Sequence, residues 1–248
     1  EDKSDDNIVL LNTSQSSGAL PSEFVYSIVE DLDGEIWIGT DAGLAIIYNP
    51  EEIFSEQGAT AEQILIEQDG NTQILLETEN ITSIEIDGSN KKWIATRNSG
   101  VYQLSPDGIL LLTHFTAENS PLFSNTVYDL AINQYNGEVF MATQGGLVGY
   151  FSAATNFDPE LSQVRVFPNP VRPGFEGYIT VDGLAFDSSV KITDMTGQLV
   201  FETKSEGGRA VWNGLDKNRN KCATGVYTIF VTDKEGSKDE VKKLTFIR

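Results

Sequence analysis

The sequence predicts an all-β protein of 248 residues, in which a partial β-propeller of about three blades, part of a larger ring, precedes a small Ig-like antiparallel β-sandwich. One observation behind this fold class is a short motif that occurs three times, centred on Trp37, Trp93 and Phe140. The spacings of 56 and 47 residues are close to one propeller blade. The other observation is a series of short alternating runs after residue 163, at about ten-residue intervals, which is typical of a sandwich.

Each copy of the motif contains the same parts in the same order. An alternating apolar run comes first, at residues 25–29, 81–86 and 127–132, and a tight turn follows it. Asp-Gly and Asn-Gly pairs in such turns supply the positive φ that a hairpin needs. A second strand then carries the aromatic residue and ends in Thr, and a Gly opens the turn into a third strand. Hydrophobic runs at residues 61–67 and 73–77 are predicted as outer strands of the first blade.

Three blades do not close a ring that usually needs four to eight. Either degenerate blades occupy residues 1–20 and 50–78, or the chain is the C-terminal portion of a longer protein. The second interpretation is favoured, because the runs in the first region are better explained as outer strands of one long blade.

The repeats stop near residue 151, and the small, polar, turn-forming residues 152–159 indicate a linker. We therefore predict a propeller domain at residues 1–160 and a sandwich domain at 161–248. Charge divides the chain near the same place. Residues 1–162 contain 26 Asp and Glu against 4 Lys and Arg, whereas residues 163–248 contain 11 against 13. The acidic part argues against nucleic acid as a partner.

Composition also limits the chemistry. The single Cys222 and the single His114 offer neither a disulfide nor a metal cluster, and each is predicted to be structural. The turn at 31–34 has too few carboxylates for a calcium loop, and no phosphate-binding or dinucleotide-binding motif is found. The sequence thus predicts no enzyme, no catalytic residue, no metal and no cofactor. No stretch approaches the length of a transmembrane helix, and the acidic start does not resemble a signal peptide.

The propeller motif resembles the two-component-regulator propeller repeat. The first copy, from Leu20-Pro21-Ser22 to Leu44, matches that pattern nearly throughout. The later copies replace the Gly before Thr with Ala95 and Ala142, and the third replaces Trp with Phe140. Such differences indicate packing that is specific to each blade.

The C-terminal part resembles the C-terminal sorting domain of the type IX secretion system of Bacteroidetes. The matching pieces lie in order along its whole length, at 166–170, 190–197, 212–214, 224–227 and 241–248. Several are turns or strand starts with an ordinary structural reason. Trp212 is predicted to be a core residue instead of a ligand platform.

Propeller repeats followed by this domain resemble a non-enzymatic component of the type IX machinery. The resemblance implies a protein that is exported through the periplasm to the cell surface, associates with the outer membrane, works with the sortase attachment complex and recognises anionic lipopolysaccharide. An exported adhesin or glycan-binding cargo, with a cleaved C-terminal sorting signal, is the main alternative. A sensory propeller is a weaker one.

The basic residues of the second half are the candidate contacts for an anionic ligand, because an anion that approaches the acidic half meets repulsion. They are Arg165, Arg172, Arg209, Lys217, Arg219 and Lys221. The terminal motif of the sorting domain is assigned to Lys242, Lys243 and Arg248.

Overall fold

The structure is a computed structural model that describes residues 8–55, 58–68, 70–152 and 154–247. Within these ranges the regular structure is a series of β-strands and one short 3-10 helix, Pro50–Phe54. This confirms the predicted all-β class. No helix in the described ranges is long and apolar enough to cross a membrane.

Contacts divide the chain into two compact units. The first holds the described residues up to Ile86, together with Asn90–Ile132 and Glu138–Tyr150. The second holds Asp87–Ser89, Asn133–Gly137 and the described residues from Phe151 onward.

Most strands of the first unit form three consecutive sheets, the predicted blades, with orders β1-β2-β3, β6-β7-β8-β9 and β10-β11-β12. The remaining two strands, β4 and β5, pair with each other. The strands are β1 Val25–Glu30, β2 Ile36–Thr40, β3 Gly43–Ile47, β4 Leu65–Gln68, β5 Asn71–Ile74, β6 Ile81–Ile86, β7 Lys92–Thr96, β8 Val101–Leu104, β9 Leu111–Phe115, β10 Val127–Asn133, β11 Glu138–Thr143 and β12 Gly146–Phe151.

The outer strands of the first blade differ from the prediction. Of the run at 61–67, Glu62 forms an isolated bridge with Ile46 of β3, and regular pairing begins only at Leu65, with β5 as its partner. Ile64 and Leu75, which flank this hairpin, are buried in the same apolar cluster as Trp37. Burial of these two side chains draws the chain away from the edge of β3.

Polar side chains connect neighbouring blades in a repeated way. Ser27 of β1 and Ser83 of β6 each follow a register shift in their strand. The Ser27 Oγ accepts a hydrogen bond of 2.9 Å from the backbone N–H of Ile84, and the Ser83 Oγ accepts one of 3.2 Å from that of Leu130. The bulge therefore aims the hydroxyl at the next blade, which explains the recurrence of Ser in this strand.

The Thr at the end of each second strand also has a repeated role. Its hydroxyl donates to the carbonyl of the glycine three or four residues later, at 2.8 Å for Thr40, 2.9 Å for Thr96 and 2.7 Å for Thr143. The same oxygen accepts a backbone N–H from within the turn. These bonds satisfy buried polar groups where the chain reverses.

The glycine of the first copy is explained by close packing between blades. A Cβ atom on Gly39 would lie 2.5 Å from Cγ2 of Ile81 in β6. The equivalent Ala95 is fully buried in the cluster between the second and third sheets. The two positions therefore differ in the space that the next blade leaves them.

The second unit contains the predicted sandwich strands, arranged in two antiparallel sheets of orders β13-β14-β17 and β16-β15-β18-β19. They are β13 Arg165–Phe167, β14 Ile179–Asp182, β15 Ser189–Thr193, β16 Leu199–Lys204, β17 Arg209–Trp212, β18 Gly225–Thr232 and β19 Asp239–Phe246.

One apolar cluster joins these two sheets, and Trp212 lies within it. Its ring packs against Phe201, Tyr227 and Phe246, with centroids 6.0 Å away in each case. Its indole N–H donates a 2.7 Å hydrogen bond to the carbonyl of Leu215. Trp212 is thus a core residue with a satisfied donor.

Candidate functional site

The segment Pro168-Asn169-Pro170-Val171 covers part of the outer edge of β19, the last strand of its sheet. The Asn169 amide donates to the carbonyl of Lys243 at 2.8 Å, and its oxygen accepts the N–H of Thr245 at 3.1 Å. Val171 continues this pairing through backbone hydrogen bonds to Thr245 and Ile247. The side chain of Asn169 therefore replaces a strand neighbour beside two prolines, which have no N–H to offer, and the covered edge is protected from other strands.

We expect Asn169→Ala to loosen this edge, because it removes both hydrogen bonds of the amide. The free energy of opening at the Thr245 amide should fall by about 1–3 kcal/mol, as measured by hydrogen exchange. Asn218→Ala, at an exposed loop position, is the control that should leave exchange at Thr245 unchanged. Equal protection in the Asn169 and Asn218 variants would show that the amide does not hold the edge.

A groove of about 430 Å³ opens beside this segment. Two of the six candidate cations, Arg172 and Lys221, line it, together with the aromatic rings of Phe175 and Phe246. Arg172 and Lys221 are both exposed, and neither forms an ion pair within the ranges that the structure describes. Two cations beside apolar rings can bind an anionic group attached to a ring or chain.

The shape of this groove depends on Gly214, which follows Trp212 and Asn213 in the chain. Gly214 has a φ of +73°, and a Cβ atom there would lie 2.9 Å from Cζ of Phe246. A larger residue would therefore be strained and would push against an aromatic ring of the groove.

The other four candidates lie elsewhere in the second unit. Lys217 lines a separate recess with Lys221 and two carboxylates. One of them, Asp216, has a pKa below its usual value because the N–H of Asn220 donates to it, so it stays negative beside these lysines. Arg219 is an exposed loop residue with a φ of +64°.

Arg165 and Arg209 form ion pairs with the same carboxylate. Asp182 lies between them in the sheet register, at 2.9 Å from Arg165 and 3.5 Å from Arg209. The two arginines therefore have less free charge to offer an anion than Arg172 and Lys221.

The terminal motif is spread along β19. The ammonium group of Lys242 lies 3.3 Å from Glu240, and the carbonyl of Lys243 is the acceptor for Asn169. Arg248 lies outside the described residues.

In the first unit, the turn at 31–34 holds a buried ion pair. Lys92 Nζ lies 2.8 Å from Asp31 Oδ2, and both side chains are fully buried. The same carboxylate accepts the indole N–H of Trp37 at 3.1 Å, and the ammonium group lies 4.7 Å from the centre of that ring. Burial opposes the charge of Asp31, but hydrogen bonds from Lys92 and Glu35 lower its pKa below the usual value. This carboxylate therefore binds a lysine of the next blade.

The single histidine and the single cysteine of the sequence lie in different units. His114 stacks on Tyr102 with centroids 4.0 Å apart, and Cys222 is buried in the sandwich core. In the described part of the chain, no group of three His, Cys, Asp or Glu side chains is placed to hold a metal ion.

Comparison with known proteins finds a family match in each of the two units. Residues 165–246 match the secretion system C-terminal sorting domain, and residues 19–42 match the two component regulator propeller. In sequence, the chain is 31% identical to histidine kinase P4 of Formosa agariphila over 106 residues, which are 42% of this chain and 7% of that protein.

Among solved structures, PorZ, an essential surface component of the type IX secretion system of Porphyromonas gingivalis, aligns with a TM-score of 0.56 and 33% identity. The alignment covers 97% of this chain and 32% of PorZ, so the chain spans about a third of the length of that relative. The extracellular domain of a hybrid two component system of B. thetaiotaomicron aligns with a TM-score of 0.30 and 13% identity. With a match to the two component regulator propeller ahead of a match to the secretion system C-terminal sorting domain, the chain is similar to PorZ over nearly its whole length.

Proposed function

We propose that this protein acts at the bacterial cell surface as a non-enzymatic component of the type IX secretion machinery, in association with its sortase attachment complex. The proposal is supported by the sorting domain at residues 165–246 and by the similarity to PorZ over nearly the whole chain. In this role the protein is exported through the periplasm and stays associated with the outer membrane, and its sorting domain is retained.

We further propose that the second unit binds anionic lipopolysaccharide in the groove beside Asn169. The observation that carries this proposal is the pairing of Arg172 and Lys221 beside Phe175 and Phe246. Two cations that lack an ion pair within the described residues can accept phosphate or carboxylate groups, and the rings can pack against sugar or lipid. Glu176 also lines the groove, which favours a ligand with spaced charges over a dense polyanion.

The test is salt-dependent binding of purified anionic lipopolysaccharide to the full chain. We expect Arg172→Gln/Lys221→Gln to weaken binding about tenfold or more, and the salt dependence to decrease with the lost charges. Arg165→Gln/Lys191→Gln is the matched control, since it removes the same charge from two exposed ion pairs. Equal losses in the two variants would show that net charge, and not the groove, attracts the ligand.

Exported cargo is the second candidate, and the general match to the sorting domain favours it. Under this hypothesis the second unit is a signal that is cleaved, and the propeller is an adhesin or a glycan-binding module. Intact mass of the surface-located protein separates the two. Retention of residues 161–248 supports the machinery role, whereas their removal supports cargo.

A further inference from the structure

The outer strand of the second blade exposes an unusual apolar run. β9 is the last strand of its sheet, and four consecutive residues, Ile109 and Leu110 just before it and Leu111 and Leu112 at its start, are 44–61% exposed. The pairing of β9 with β8 shifts at Leu112, so that both Leu111 and Leu112 face solvent. Edge strands usually carry charges or prolines that prevent pairing with other chains. An exposed apolar run that continues into an edge strand therefore indicates a surface that is covered in use.

This run forms one side of a groove of about 720 Å³ within the first unit. The other side is the β4–β5 hairpin, where Leu65 is 63% exposed. Its lining includes Leu75 and Leu76 from the chain that follows β5, and Tyr102 from β8. Both sides thus contain strand edges, and about half of the lining between them is apolar.

The charges of the groove have one sign. Glu67, Glu77 and Glu79 line it, and none of them forms an ion pair within the described ranges. Glu79 accepts a 3.3 Å hydrogen bond from the hydroxyl of Tyr102, and burial followed by the charge of Glu79 raises the pKa of that tyrosine. The groove therefore combines an apolar surface with a negative rim.

We infer that this groove binds an extended segment of a partner protein in which apolar residues alternate with Lys or Arg. The apolar side chains would cover Leu65 and the Ile109–Leu112 run, and the cations would meet Glu67 and Glu77. An extended backbone can also pair with the edges of β5 and β9, as in other strand-addition complexes. A lipid chain could cover the leucines, but it has no donor or acceptor for strand edges and no charge for the carboxylates.

The test uses the full chain and a labelled synthetic peptide of about seven residues that alternates Val and Lys, followed by fluorescence anisotropy. We expect saturable binding, and a loss of about tenfold in affinity both for Leu110→Ser and for Glu67→Gln/Glu77→Gln. All three positions are exposed, so these variants should fold normally. A peptide with Glu in place of Lys should not bind.

Two controls separate the groove from general attraction to an acidic protein. Glu51→Gln/Glu52→Gln removes the same charge from the exposed 3-10 helix, and Phe54→Ser removes an exposed apolar residue there. Both should leave the affinity within about twofold of the original chain. Failure to saturate below about 1 mM peptide, or equal losses in control and groove variants, would overturn the inference. Binding of phosphatidylcholine vesicles that depends on Leu110, without peptide binding, would also overturn it.

Discussion

Replacing Lys92 with methionine is expected to destabilise the first unit by about 3–5 kcal/mol, because it leaves the buried carboxylate of Asp31 without its cation. Methionine retains most of the apolar stem of Lys92, so little packing is lost. The ammonium group also donates to the carbonyls of Asn90 and Pro106, and both acceptors lose this donor. Urea unfolding followed by tryptophan fluorescence measures the loss, and the transition of the second unit, which holds Trp212, serves as an internal control.

Removing both charges tests whether the pair is the cause. Asp31→Asn/Lys92→Met should lose less stability than the two single changes added together, since no buried charge remains. Additive losses would contradict a direct interaction between the two side chains.

The effect of Lys92→Met should also depend on pH. Because the folded pKa of Asp31 is lowered, the stabilisation is present above the unfolded pKa of about 3.9 and is lost as the pH falls through the folded value. The stability difference between Lys92→Met and the original chain should therefore decrease below about pH 4. A difference that stays constant down to about pH 3 would argue against ionised Asp31 as the partner.

The sequence contained a signal for this ion pair. Lys92 occupies the position of Ile36 and Val139 in the other copies of the motif, where an apolar residue precedes the aromatic one. A lysine at an apolar position of a buried strand must find a buried anion. Its partner Asp31 lies 61 residues earlier, in the preceding blade, and one sequence gives no distance between blades. The identity of the partner was therefore beyond sequence reasoning.

The sandwich strands were predictable because alternating runs and turn residues are local features. The outer part of the first blade was not predictable in this way, because the hairpin β4–β5 is positioned by the burial of Ile64 and Leu75 against Trp37. The apolar run at 109–112 was also visible in the sequence. That it lies on an edge strand became clear only from the pairing of β9.

The candidate site was predictable only as a set of cations. Composition does not distinguish Arg172 and Lys221 from the other four candidate cations. These two residues are 49 positions apart in the sequence, and they line the same groove because two loops fold beside each other. The strand register places Asp182 between Arg165 and Arg209, so these two arginines already have an ion-pair partner. A single sequence does not specify that register. Charge counts thus indicate which half of the chain offers cations to an anion. The ion pairs within that half decide which of these cations a ligand can reach.

Trp93 joins the second and third blades. It is fully buried, in a cluster that includes Val127 and Met141 of the third sheet. Its ring stacks on Phe115 of β9 at 5.7 Å and contacts Tyr150 of β12 at the same distance. Replacement by a small residue would leave a cavity that two sheets border, and rigid sheets collapse poorly into such a space.

We therefore expect Trp93→Ala to destabilise the first unit by about 3–5 kcal/mol, as measured by urea unfolding with circular dichroism. Trp93→Phe should recover part of the loss, because a smaller ring can still stack on Phe115. Phe140→Ala should cost only about 1–2 kcal/mol, because Phe140 is half-buried and loses less apolar contact. An unchanged midpoint for Trp93→Ala, or a larger loss for Phe140→Ala, would contradict the interface role of Trp93. The expected order follows from burial, since the three motif copies share a pattern but, in the part of the chain that the structure describes, Trp37 and Trp93 are fully buried whereas Phe140 is half-buried.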